Sequence, residues 1–250
     1  MKKTASYALM ALLVICGVQN LKAQKKTFSV KSFDKVIVSP HIQATLVEGF
    51  EESVTVDYSN VPEGDLHMEV DGNTLWVYLE GAKIITGSEK ERGNGYTRNR
   101  SYYTGNQAKV TITYKELETL SVRGEEKITC ESLLDQKDFT LRIYGESQVY
   151  LAQVELNKLK ATIYGTSYLE VQKGKIGYQK FTAYGESRVN SIAIENFDTK
   201  ILAYGESDFR VNVTDRLKVT CYGETHITYE GSPEVERGIV IGEATIRKIG

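Results

Sequence analysis

The tetrapeptide Tyr144-Gly145-Glu146-Ser147 returns as Tyr164-Gly165-Thr166-Ser167, Tyr184-Gly185-Glu186-Ser187, Tyr204-Gly205-Glu206-Ser207 and Tyr222-Gly223-Glu224-Thr225. Worn copies flank this run at Arg123-Gly124-Glu125-Glu126 and Ile241-Gly242-Glu243-Ala244. The steps between successive glycines are 21, 20, 20, 20, 18 and 19 residues. A fixed period of this length constrains the fold more than composition does. One such unit cannot bury its apolar side alone, and stacking the units coil on coil gives each a partner.

Strand parity assigns the sides. Successive side chains on a strand point to opposite faces. Ile143, Ser147, Val149 and Leu151 share one face, and their counterparts in later copies are apolar or small. On the approach to the glycine, Phe139, Leu141, Leu159, Ala161, Phe181, Ile201, Leu217 and Val219 continue that face. It is the expected interior, with the serines as structural residues. Tyr144, Tyr164, Tyr184, Tyr204 and Tyr222 then face outward, as do Glu146, Glu186, Glu206 and Glu224, with Thr166 interrupting the acids. The glycine supplies a bend with positive φ.

Upstream, alternating segments at 28–30, 33–38, 42–46, 54–58 and 66–70 read as strands, as do 75–79 and 108–114. Asp71-Gly72-Asn73 marks a tight turn between two of them. Residues 81–106 break the pattern with five glycines among charged residues. They read as a mobile insertion, in which Tyr96, Tyr102 and Tyr103 are the adhesive side chains.

The first residues have the form of an export signal: Lys2 and Lys3, then an apolar run from Ala8 to Val18, then Leu21-Lys22-Ala23 before a cut at Gln24. The run is shorter than the ~20 apolar residues that span a bilayer. Cys16 follows Ile15 rather than the small residue of a lipoprotein signal, so ordinary cleavage is expected. Removing residues 1–23 takes three lysines and no acids, leaving 28 basic against 33 acidic side chains, or −5. That balance gives no basic patch for nucleic acid, and no further apolar segment offers a transmembrane anchor. The mature chain keeps Cys130 and Cys221. With rungs ~4.8 Å apart, their backbones would stand ~20 Å from each other, beyond the ~7 Å a disulfide tolerates. Two buried free thiols follow.

The outward columns carry the candidate chemistry. Carboxylates one rung apart repel by ~1 kcal/mol in water, and stacked tyrosines return ~0.5–1.5 kcal/mol per pair. The glutamates read first as a solvated acidic stripe. Calcium is the sharper alternative, although no Asp-rich calcium repeat is present and calcium takes ~6–8 oxygens. The tyrosines read first as a stiffening stack. Their functional reading is a binding surface for a glycan or a cell-surface protein, with the glutamates beside them. His41, His67 and His226 lie on different segments without metal-ligand spacing. No nucleophile elbow or phosphate-cradling loop is found, and no cofactor is implied.

The chain resembles the auto-transporter adhesin head GIN domain family, found in exported proteins of Bacteroidetes. Phe33-Asp34-Lys35-Val36-Ile37-Val38, Ile42 to Leu46 and Asn73-Thr74-Leu75-Trp76-Val77 carry the resemblance, with the glycine repeats and Tyr229-Glu230-Gly231-Ser232-Pro233. The resemblance spans roughly residues 30–250 and implies a right-handed β-helix. The family's repeats read Ser-Gly-Ser-Gly, where this chain has Tyr-Gly-Glu-Ser. The expected molecule is therefore all-β, a right-handed single-stranded β-helix with one domain over 24–250. Its expected role is non-enzymatic binding or scaffolding in the periplasm, at the outer-membrane surface or after secretion. A polysaccharide-active lyase or hydrolase is the alternative, since paired carboxylates can cleave sugars. Evenly repeated acids argue for multivalent contact instead.

Overall fold

The computed structural model describes residues 25–93 and 96–249; the segment expected to be an export signal, with Cys16, lies outside the described residues. All regular structure in it is strand. The first ten strands are β1 (Lys26–Ser29), β2 (Lys35–Val38), β3 (Ile42–Glu48), β4 (Ser53–Ser59), β5 (Leu66–Asp71), β6 (Thr74–Leu79), β7 (Ser88–Gly93), β8 (Tyr96–Ser101), β9 (Ala108–Tyr114) and β10 (Thr119–Gly124). The repeat region holds β11 (Lys127–Gly145), β12 (Gln148–Gly165), β13 (Tyr168–Val171), β14 (Gly174–Tyr184), β15 (Ser187–Ser191), β16 (Glu195–Val213), β17 (Arg216–Gly231) and β18 (Glu234–Lys248).

From β10 onward the strands pair in parallel with the repeat as their register. Gly124 lies opposite Gly145, Gly145 opposite Gly165, Gly205 opposite Gly223, and Gly223 opposite Gly242. The fold is a β-solenoid of stacked parallel coils. Each bend glycine has a φ between 106° and 132°. Its missing Cβ lets the preceding coil's backbone approach, because a Cβ at Gly165 would run into the carbonyl oxygen of Gly145. The inward serines lock the same bend. The hydroxyls of Ser147 and Ser167 each donate to the glycine carbonyl one coil back, Gly124 and Gly145, at 2.9 Å. Ser187 does so to Gly165 at 3.1 Å.

The interior is the face parity assigns. Leu141, Ile143, Val149, Leu151, Ile163, Leu169, Phe181, Phe209 and Ile227 are all buried. Large and small residues alternate down it. Phe181 lies in register with Ala161, and its ring stands 6.0 Å from that of Phe209. Cys130 and Cys221 are buried and free. Burial pushes the Cys130 thiol up to about 11, so at neutral pH almost none of it is the reactive thiolate. Iodoacetamide is expected to modify neither cysteine in the folded protein and both after denaturation, as read by mass spectrometry.

The N-terminal end departs from simple winding. β2 and β3 pair with β10 and β11 on one side and with β6 and β9 on the other, all in parallel. Two antiparallel strands then close the stack, β5 on β6 and β4 on β9, with β1 outside β4. These antiparallel strands form the end cap that a solenoid needs. Residues 81–106 leave the coil between β6 and β9, and β7 and β8 pair antiparallel there as a separate two-stranded sheet. His41, at φ 71°, holds the stem of this excursion. Its Nδ1 lies 2.7 Å from the Gly105 carbonyl and its Nε2 2.7 Å from the Thr86 hydroxyl. The Tyr103 hydroxyl donates to the Glu80 carbonyl at 3.0 Å.

Candidate functional site

The tyrosines stack as one column. The rings of Tyr144, Tyr164, Tyr184, Tyr204 and Tyr222 lie 4.8–5.1 Å apart, with interplanar angles of 1–5°. The Arg123 guanidinium covers the first ring, 4.8 Å from the Tyr144 centroid. This stacking covers the ring faces within the column and leaves edges and hydroxyls to solvent. Tyr164 is 40% exposed and Tyr184 37%. A ligand meeting the column would touch those edges rather than stack on a flat face.

Beyond the glycine the chain turns and a groove of about 520 Å³ runs along the bend. One wall is the acidic column, Glu146, Glu186, Glu206 and Glu224, with Thr166 in the gap. Ser167, Ser187 and Ser207 lie at its floor, held by the hydrogen bonds of the bend. The other wall is the next outward column, where Gln148, Tyr168, Arg188, Asp208 and His226 stand in register. This wall has a different side chain on every coil. The Tyr168 hydroxyl donates to Glu170 at 2.7 Å, and its ring meets Tyr150 edge-on at 5.8 Å. His226 Nε2 lies 3.3 Å from a Glu224 oxygen, tying the two walls at one end.

The groove therefore unites the sequence-derived glutamates and places the tyrosine column alongside them. The second wall escapes a search for repeats, because its residues do not repeat. Aligning the copies and asking which outward column varies would have found it. A basic column also escapes that search. Lys160, Lys180, Lys200 and Lys218 stack in register four residues before the tyrosines. Across the bend the surface passes from cations to tyrosines to anions. His41, His67 and His226 sit apart, and no group of three His, Cys, Asp or Glu side chains suited to a metal occurs among the described residues.

The family described as "Putative auto-transporter adhesin, head GIN domain" matches residues 32–233. No curated protein matches the chain. Among solved structures, a protein of Bacteroides fragilis described as a "putative adhesin" superposes with a TM-score of 0.71 at 18% identity, covering 90% of this chain and 96% of that one. A protein of Parabacteroides distasonis described as lipid binding gives 0.64 at 17% identity, covering 91% and 96%. A second protein described as a "putative adhesin", from Parabacteroides merdae, gives 0.61 at 16% identity, covering 92% and 98%. At these identities the likeness is one of fold, and it covers nearly the whole of each molecule. The match over residues 32–233 places this chain in the auto-transporter adhesin head GIN domain family.

Proposed function

We propose that the chain is an exported binding protein of the cell envelope. Its ligand, a glycan or a segment of a surface protein, lies along the solenoid axis in the groove beside the tyrosine column. The contrast between the groove's two walls carries this reading. The acidic wall is nearly uniform, and its spacing is set by the coils, so it offers each coil the same contact. The facing wall presents amide, phenol, guanidinium, carboxylate and imidazole in turn, which suits selective contact with an extended ligand. The gap at Thr166 shares its coil with Tyr168, so the groove is least acidic there. The solved structures that share this fold are described as adhesins and as a lipid binding protein, which agrees with binding rather than catalysis.

The test is a screen of the mature protein on a glycan array and on intact cells, followed by two sets of variants. Tyr168→Ser with Arg188→Ala changes the varied wall, and Tyr184→Ser with Tyr204→Ser changes the column. Each set is expected to weaken binding at least tenfold, about 1.4 kcal/mol. The column set should also lower stability by a few kcal/mol, since three stacks at ~0.5–1.5 kcal/mol each are lost. Circular dichroism separates lost binding from lost fold. Wild-type affinity in both sets would reject the groove as the binding surface.

A further inference from the structure

The C-terminal end of the stack is built unlike the N-terminal end. β18 pairs with β17 along one edge, and among the described residues nothing pairs with its other edge. The strand runs for 15 residues without a proline. Its alternate backbone N–H and C=O groups face outward unpartnered, and such an edge is a template for another strand. Three adjacent apolar side chains lie open on it, with Ile239 58% exposed, Val240 37% and Ile241 62%. Val235 and Ile246 pack on the core yet stay only partly buried, so the interior is open in cross-section here. β18 also lies beyond the stretch that the family model matches.

Its charges are arranged in a way that selects a partner. Edges that repel other strands usually carry charge of one sign along their length or a proline. β18 begins with Glu234 and ends with Arg247 and Lys248, with Glu236, Arg237 and Glu243 between them, so its two ends are opposite in charge, and Ile241 stands at its middle. A two-fold axis near Ile241 makes two copies of this edge antiparallel. Glu234 of each then faces Lys248 of the other, Ile241 faces its own copy, and Val240 faces Gly242. The axis also falls beside the bend at Gly242, so the arm before the bend in one copy runs against the arm after it in the other. Such a contact is self-complementary and closes at two.

We propose that β18 is the interface through which two copies of this chain associate end to end, joining their solenoids by antiparallel pairing. The mature protein is then a dimer at high concentration and dissociates on dilution, as read by sedimentation equilibrium or light scattering. Glu236 already binds Lys218 at 2.6 Å, so the test leaves it unchanged. One variant carries Glu234→Lys, which makes both ends of the edge basic. The other carries Arg247→Glu and Lys248→Glu, which makes both ends acidic. Each alone is expected to lose self-association by at least tenfold, and an equal mixture of the two is expected to recover it as a heterodimer. Ile241→Asp should give a monomer with the wild-type circular dichroism spectrum, since that side chain is exposed. A wild-type chain that stays monomeric at every concentration overturns the proposal. So does self-association that both charge variants retain, or a mixture that fails to recover it.

Discussion

Gly165→Ala is expected to destabilise the protein by roughly 2–6 kcal/mol. Two costs combine. The backbone at Gly165 has a φ of 106°, where an L residue is strained by ~1–3 kcal/mol. The new Cβ also runs into the Gly145 carbonyl oxygen, which already accepts hydrogen bonds from the Thr166 N–H at 3.0 Å and the Ser167 hydroxyl at 2.9 Å. Forcing atoms into a packed site costs a further ~1–3 kcal/mol. The coils must part locally or those bonds must lengthen. Gly185→Ala supplies a graded comparison. Its φ is 111°, but the nearest carbonyl oxygen would lie 3.0 Å from the added carbon, so strain dominates and the loss is smaller. Gly72→Ala meets nothing within 4 Å at a φ of 57° and should cost ~1 kcal/mol. Urea unfolding of the three variants gives the order. Equal losses would show that φ alone governs the glycine column and that coil-to-coil contact does not.

Phe181→Ala is expected to cost ~3–5 kcal/mol, the range for emptying a buried aromatic site. Phe181 is fully buried and sits between Ala161 and Ile201 in its column, with Phe209 across the interior. Alanine at 161, 183 and 203 leaves the space that the two rings fill. Little nearby can move in, because each coil's backbone is held by parallel pairing on both sides. Phe181→Leu, which keeps most of the volume, should lose less than half as much. Thermal unfolding measures both. A Phe181→Ala protein as stable as wild type would mean that the coils collapse around the site, contrary to the rigidity argued from their pairing.

The repeat region was legible because three independent signals agree at one place. Glycine is needed where φ is positive, serine where a small inward hydroxyl must reach the preceding carbonyl, and tyrosine where equal spacing permits stacking. Each recurs with the coil, so the period exposes all three. The same regularity hid other features. β4 and β5 alternate like any strand, and nothing in Ser53–Ser59 or Leu66–Asp71 says that they run antiparallel and close the stack. Pairing direction depends on distant partners, and here β4 is set by β9, some fifty residues later. The insertion around residue 90 shows glycines and charges in sequence, whereas its hairpin and the His41 anchor at its stem arise only in three dimensions. The groove's varied wall was missed for a different reason. Gln148, Tyr168, Arg188, Asp208 and His226 share a column only once the register is known, and their lack of resemblance is what distinguishes them.

The placement of β2 and β3 has a kinetic consequence. This early coil lies between β6 and β9 on one side and β10 and β11 on the other, so Ala44 waits for Ile128 to complete its pairing. Sheets that depend on pairings far apart in sequence form slowly, since the intervening loop must close first. From β11 onward each coil docks on the one just made, which is short-range growth along one dimension. A chain emerging from its N-terminus would thus leave the first coil with a bare edge until the first glycine bend appears. Its rate-limiting step is expected to be assembly of the capped end, after which the tyrosine-bearing coils add in quick succession.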